Sequence, residues 1–162
     1  MTKLFKQGFQ WKETKCTLLT DVENAIPSAI ASIKRHRAQL EKYIQKNPRF
    51  LYSLRPVHVN KGPRITKLMA EAAKKANVGP MAAVAGVLAD LAVEALITAG
   101  STVAVVENGG EIAAVSNKPV DVALSAGDSR DGATGPGGPG RALLFAQGQT
   151  ARVSCLFRQV PA

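Results

Sequence analysis

Residues 79–112, GPMAAVAGVLADLAVEALITAGSTVAVVENGGEI, carry the pattern that decides the fold. Pro80 suits the first turn of a helix, where its missing N–H leaves no hydrogen bond unmade. Gly100 closes that helix, and the apolar, β-branched run Thr102 to Val106 predicts a strand. An Asn-Gly turn and a return strand from Glu111 to Ser116 follow, so the segment predicts a helix that leads into a β-hairpin.

The flanking sequence adds two helices and more strands. Apolar residues recur at helical spacing from Asp21 to Gln45, and a second helix begins at Pro63. Short apolar runs at 9–11 and 16–19 predict a hairpin that turns at Lys12-Glu13. Residues 120–126 predict a further strand. Together these elements predict an α+β fold with helices packed on a mostly antiparallel sheet.

The composition changes after Ser125. Residues 132–140 read GATGPGGPG, with five glycines and two prolines in nine residues, and lysine is absent after Lys118. This composition predicts a Gly/Pro-rich linker and a weakly specified, loosely packed tail over 127–162. The α+β domain then covers 1–126 and is expected to be incomplete. A frameshift in a GC-rich gene would produce the same change, and both interpretations stay open.

The net charge of +9 is concentrated in residues 1–75, which carry 16 Lys and Arg against 5 Asp and Glu. A basic segment of this kind attracts phosphates or nucleic acid. Aromatic residues make up only 5% of the chain, and no common nucleic-acid-binding motif is present, so we favour a solvated basic face that steers a small anionic ligand. No apolar run reaches the ~20 residues of a membrane span and no signal-peptide pattern opens the chain. We therefore expect a cytoplasmic protein without membrane contact, and a homo-oligomer is left open.

The cysteines and histidines do not form a recognisable motif. Cys16 and Cys155 lack metal-ligand or CxxC spacing, so free thiols are expected. His36 and His58 lie 22 positions apart, and His36 is predicted to lie on the basic face of its helix. The sequence predicts no metal site and identifies no catalytic residue.

Two elements of the opening stretch form a candidate ligand site. The small side chains of 79–86 let a flat ligand approach a helix N-terminus, whose free N–H groups suit phosphate, and Asp90 shares a face with Gly86. The alternative, a tightly packed core helix, is favoured for this element. In 107–111, two carboxylates and an amide surround a Gly-Gly pair that admits a metal or ribose hydroxyls, while an ordinary hairpin turn is the alternative. The doubled glycine and the flanking acids favour function there. The predicted site residues are Gly79, Met81, Gly86, Asp90, Glu107, Asn108, Gly109, Gly110 and Glu111.

These motifs resemble the uncharacterised branch of the ApbE-like superfamily. The resemblance rests on 79–86 combined with 106–112, is supported by 43–57 and 69–73, and covers roughly 1–126. It implies an ApbE-like α+β fold in a small cytoplasmic protein. ApbE proper is a Mg-dependent transferase that moves FMN from FAD onto a Thr or Ser of a target protein, so FAD or FMN with Mg is the cofactor set that the resemblance implies.

This sequence also departs from the superfamily pattern. The Lys-Gly-Tyr element of the ApbE helix is absent, and after Ala126 neither the Cys-Thr-Ser-Ser-Gly nor the His-Ser-x-Ser-Phe-Gly segment of the branch is found. The cofactor is therefore unknown and enzymatic activity is undecided. The leading expectation is a protein that binds a flavin- or nucleotide-like anionic ligand. The alternatives are an accessory factor in sulfide assimilation toward homocysteine and cysteine, which the branch implies, and a basic nucleic-acid-associated protein.

Overall fold

Helices packed against an antiparallel sheet make up the part of the chain that the computed structural model describes, residues 3–123, 141–144 and 151–154. The predicted α+β class is confirmed. The strands are β1 (Phe5–Trp11), β2 (Thr14–Thr20), β3 (Val103–Asn108), β4 (Glu111–Ser116), β5 (Val120–Ala123), β6 (Arg141–Leu144) and β7 (Ala151–Ser154). The helices are α1 (Ile26–Lys46), α2 (Pro48–Tyr52), α3 (Arg64–Ala76) and α4 (Val84–Thr98), with 3-10 turns at Glu23–Ala25 and Pro80–Ala83.

The main sheet has the strand order β1-β2-β3-β4-β7, and neighbouring strands are antiparallel. Both predicted hairpins are confirmed, but the second turn lies one residue beyond the predicted Asn-Gly pair. The first turns at Lys12-Glu13, with Lys12 at φ 54°, and the second turns at Gly109-Gly110, with φ of 59° and 91°. Because two glycines supply both positive φ angles, the second turn needs only two residues, and Asn108 remains in the strand.

The core lies between α4, α1 and the inner face of the sheet. α4 is apolar on most of its surface, and Ala89 and Ala92 are completely buried. Small side chains at these positions allow α1 to approach closely while Val93 and Leu96 fill the space beside the sheet. A second cluster, around Phe50, joins α2, α3 and α4.

Two predicted helix starts are corrected by the structure. The first helix was predicted from Asp21, but α1 begins at Ile26 after a 3-10 turn, because the Asp21 carboxylate is engaged with the start of β3. The helix predicted from Pro80 begins as a 3-10 turn and becomes α-helical only at Val84.

The helical stretch Pro80–Thr98 has 19 residues and is long and apolar enough, by length and composition, to cross a membrane. We did not expect such a segment, since Asp90 and Glu94 interrupt its apolar run. Core helices pass the same test, and α4 buries seven residues in this domain. One such helix is weak evidence for a membrane span.

The region predicted as a tail contributes two described strands. β6 pairs with β5, and β7 pairs with β4 at the edge of the main sheet. Residues 124–140, 145–150 and 155–162 lie outside the described part, and Cys155 is among them. The division between 1–126 and 127–162 therefore stays a prediction.

The Asp21 carboxylate joins the end of β2 to the start of β3. Oδ1 accepts hydrogen bonds from the backbone N–H groups of Thr102 and Val103, both at 3.0 Å, and Oδ2 accepts one from the Thr102 hydroxyl at 2.6 Å. Burial by itself would raise the pKa of Asp21, but these hydrogen bonds outweigh it and hold the pKa below its ordinary value.

We expect Asp21→Asn to lower the free energy of unfolding by about 1–3 kcal/mol, since the amide keeps one acceptor and loses the charge. Because the folded-state pKa is depressed, the Asp21 contribution is present above the unfolded pKa of about 3.9 and is lost as the pH falls through the lower folded value. Urea unfolding at several pH values measures both effects. Glu23→Gln, which removes an exposed neighbouring charge, is the control, and equal losses in the two variants would contradict the role of Asp21.

Candidate functional site

The nine predicted site residues divide into three sets of three. A cavity beside α3 is lined by Gly86, Asp90 and Glu111. A cavity beside α1 is lined by Met81, Asn108 and Gly109. Neither of these cavities is lined by Gly79, Glu107 or Gly110.

The register of the β3–β4 hairpin separates its two acids. Asn108 lies directly opposite Glu111, whereas Glu107 lies opposite Ile112. Because neighbouring side chains along a strand point to opposite faces, Glu111 projects toward α4 and Glu107 projects away from it. The Glu107 carboxylate instead accepts a hydrogen bond from the Gly110 N–H at 2.8 Å. The structure therefore does not bring the two carboxylates of the turn onto one ligand.

Gly86, Asp90 and Glu111 converge on a cavity of about 330 Å³, which we call the alanine cavity. Its remaining lining residues come mostly from α3 and the 3-10 turn before α4: Ala72, Ala73, Ala76, Val78, Ala82, Ala83, Val87 and Ile112. A Cβ added at Gly86 would lie 3.7 Å from Glu111 Oε2, so this carboxylate lies beside the helix backbone. The cavity combines small apolar walls with two carboxylates.

The end of α3 explains how this cavity forms. Asn77 adopts the left-handed conformation at φ 54°, and the Val78 N–H donates to the Ala73 carbonyl at 3.0 Å. This cap ends the helix within one residue and turns the chain back toward α4. The alanine face of α3 consequently lies opposite the first turn of α4.

Met81, Asn108 and Gly109 line the second cavity, of about 320 Å³, together with residues of α1. Its cation, Arg37, is already engaged: it donates to the Thr14 hydroxyl at 2.7 Å and forms ion pairs with Glu13 and Glu41. Asn108 is only 4% exposed, and its Nδ2 donates to the Ala85 carbonyl at 3.0 Å. This side chain ties β3 to the start of α4, and the cavity offers little to an anion.

Gly79 has a structural explanation. It is buried, and a Cβ at this position would lie 1.8 Å from the Ser53 carbonyl oxygen and 3.1 Å from the Leu54 Cα. No side chain fits there, because the chain after α3 passes directly against the backbone that follows α2.

His36 was placed on the basic face of its helix, and the structure corrects this position. Its side chain is 6% exposed and lies against α4. Nδ1 donates to the Ser32 carbonyl at 2.8 Å, and the Ser32 hydroxyl donates to the Leu91 carbonyl at 3.0 Å. The spacing of Ile33, His36 and Leu40, three and then four residues apart, was the sequence signal that places His36 on the apolar stripe.

His36 lines a groove of about 480 Å³ between α1 and α4, which we call the histidine groove. Arg35 and Arg64 line it from α1 and α3, and Glu94 lines it from α4. Arg64 and Glu94 form two hydrogen bonds, of 2.7 and 2.8 Å. Burial lowers the pKa of His36, the Ser32 carbonyl opposes this shift, and the two arginines reinforce it, so the imidazole is neutral at pH 7.

Cys16 lies on the inner face of the sheet and is buried. Burial, with a further contribution from Glu107, raises the pKa of its thiol to about 11. The thiol is therefore protonated near neutral pH and is a poor nucleophile. Within the described residues, no group of three or more His, Cys, Asp or Glu side chains is arranged to hold a metal ion.

A family model described as AbpE bacteria matches residues 2–137 of this sequence. The chain belongs to the AbpE bacteria family. The match includes α4 and the β3–β4 hairpin, and with them both sides of the alanine cavity.

Relatives of this member of the AbpE bacteria family occur among archaea. A UPF0280 protein of Methanospirillum hungatei is 45% identical over 124 residues, which is 76% of this chain and 51% of the relative. One of Methanothermobacter thermautotrophicus is 42% identical over 132 residues (78% and 51%), and one of Archaeoglobus fulgidus is 45% identical over 116 residues (72% and 49%). The chain spans about half the length of the curated relatives that it matches.

Gly79→Ala is expected to destabilise the fold by about 3 kcal/mol or more, because the added methyl group meets backbone atoms that cannot move independently. Thermal unfolding compared with wild type measures this loss. Gly8→Ala is the matched control, since a Cβ at Gly8, in the edge strand β1, has nothing within 4 Å. A small and equal effect of both substitutions would contradict the structural role of Gly79.

Proposed function

We propose that this protein binds a flavin- or nucleotide-like ligand in the alanine cavity. The observation that carries the proposal is the convergence of Gly86, Asp90 and Glu111 on one cavity. Glu111 lies on β4 while Gly86 and Asp90 lie on α4, and the hairpin register turns Glu111 toward the helix.

The lining of the cavity suits a flat ring with hydroxyl groups attached. Alanine side chains on α3 and before α4 leave apolar walls against which an aromatic ring can lie. Each carboxylate has about four acceptor sites, so Asp90 and Glu111 can accept hydrogen bonds from ribose or ribityl hydroxyls in addition to their present interactions. Dinucleotide-binding sites use carboxylates in the same way.

The surrounding charge accounts for an anionic part of the ligand. Two acids in the cavity repel a phosphate, so the phosphate has to lie outside it. Lys74 and Lys75 are exposed in the last turn of α3, whose Ala72, Ala73 and Ala76 line the cavity. Their charges attract a phosphate at the rim of the cavity.

The reaction, if the whole protein catalyses one, is not part of this proposal. The family description AbpE suggests a link to the ApbE-like superfamily, which supports a flavin over other flat ligands. Asp90 and Glu111 are also the residues that would contact Mg²⁺ if a nucleotide brought it, since hard cations prefer carboxylate oxygens. The matched segment is about half of each relative, so a part of their site can lie outside it.

Quenching of intrinsic flavin fluorescence tests the proposal. We expect saturable quenching of FMN or FAD by the wild-type protein, and about tenfold weaker binding by Glu111→Gln, which loses a charged acceptor. Ala82→Phe should abolish binding, because Ala82 is an exposed residue of the cavity wall and the ring would fill the space.

The matched control is Glu71→Gln, an identical change at an exposed position of α3 outside the cavity. Its binding should equal that of wild type. Absence of quenching by any flavin, together with absence of binding by adenine and guanine nucleotides in calorimetry, would overturn the proposal. Equal losses in Glu71→Gln and Glu111→Gln would do the same, since they would indicate a general charge effect.

The two alternative functions give different results in this protein. A nucleic-acid-associated protein would bind DNA or RNA with an affinity that falls steeply as salt rises, and Ala82→Phe would not change it. An accessory factor in sulfide assimilation would show a genetic dependence on sulfide without ligand binding. The buried, protonated Cys16 does not support sulfur chemistry within the described residues.

A further inference from the structure

The histidine groove contains a hydrogen-bond acceptor, Nε2 of His36, that takes no part in the hydrogen bonds of the described fold. His36 is 94% buried, and its Nδ1 hydrogen is donated to the Ser32 carbonyl, which fixes the neutral ring as the tautomer with an unprotonated Nε2. Nε2 makes no hydrogen bond to any residue of the described part of the chain. Among those residues, every fully buried side-chain nitrogen or oxygen has a hydrogen-bond partner. Because Nε2 has none, it is not fully buried, and it faces the open groove.

Side chains with hydrogen-bond donors line the same groove. Arg35 lines it and has no ion-pair partner within residues 3–123. Arg64 also lines it and uses two of its N–H groups on Glu94, while guanidinium has five in total. Ser28 lines the groove as well, from the same helix as His36. The groove thus combines an acceptor at its buried end with guanidinium donors at its opening.

From this arrangement we infer a second binding site, separate from the alanine cavity, for inorganic phosphate. Arginine binds tetrahedral oxyanions through paired N–H donors. Near neutral pH a phosphate also carries an O–H group, which can donate to the unprotonated Nε2 of His36. A carboxylate has no such hydrogen, so the acceptor at the buried end selects phosphate.

Binding is linked to protonation of His36. Three charged groups face the imidazole: Arg35 from α1 and Arg64 from α3 disfavour its protonation, and Glu94 from α4 favours it. A bound dianion offsets the two arginines, so the pKa of His36 rises when the site is occupied. The proton then comes from solvent, and Nε2–H becomes a donor to an anion oxygen.

A comparison of sulfate binding with phosphate binding distinguishes the neutral imidazole of His36 from the protonated one. At about pH 8 both are dianions of similar shape, but only phosphate carries a hydrogen for the neutral imidazole. We expect phosphate to bind at least about fivefold more tightly than sulfate at that pH. At a pH below the pKa of His36 the protonated imidazole donates to either ion, and sulfate should bind more tightly there than at about pH 8.

The chain contains only two histidines, so proton NMR reports the site directly. Addition of inorganic phosphate to the wild-type protein should move the titration of the His36 ring proton to higher pH, while the exposed His58 serves as an internal reference and should change little. Arg35→Gln should weaken phosphate binding about tenfold. Lys42→Gln, which removes one exposed charge from the same helix outside the groove, should leave it unchanged.

Three results would overturn the inference: an unchanged His36 titration in the presence of phosphate, equal shifts of His36 and His58, or equal affinities of Arg35→Gln and Lys42→Gln. The last two would indicate a general attraction of anions to a basic surface. No residue of the alanine cavity lines the groove, so flavin binding can fail or succeed independently of this test.

Discussion

The burial of α4 between α1 and the sheet is the constraint on which the other elements depend. Ala89 and Ala92 are completely buried and have small side chains, so two helices and a sheet share one core. Because the hydrophobic effect scales with the apolar area removed from water, a helix buried on most of its surface contributes more than any element on the periphery. The Asp21 and Asn108 hydrogen bonds then fix the β3–β4 hairpin relative to this helix.

The position of α4 also determines where ligands can bind. Its core-facing sides are occupied, so the two cavities lie where α4 meets a neighbouring helix. The end of α3 and the first half of α4 line the alanine cavity, whereas α1, the start of α3 and the second half of α4 line the histidine groove. The two carboxylates in one and the two arginines in the other give these sites opposite electrostatic preferences.

The chain belongs to the AbpE bacteria family, and its matched segment spans about half the length of the relatives. The site proposed here belongs to the matched segment and uses both of its central elements, α4 and the hairpin. A raised thiol pKa and an amide committed to a backbone carbonyl remove Cys16 and Asn108 from the groups available for chemistry. Ligand binding is the function that we propose for this segment, with Asp90 and Glu111 as the proposed central residues.

The sequence by itself predicted most of the elements, although α1 and α4 begin later than predicted. Proline at helix starts, Asn77 after α3 and two glycines in the hairpin act through local backbone geometry, which does not depend on the rest of the chain. It also brought Gly86 and Asp90 onto one helix face through the helical repeat.

Only the tertiary structure decided which side chains meet. The pairing of Glu107 with Ile112 directs that acid away from Glu111, and the approach of Ser53 to Gly79 leaves no room for a ligand there. The contact of α1 with α4 buried His36, although its neighbours in the chain are basic. In each case the deciding contact joins residues far apart in sequence, and local pattern contains no information about such distances.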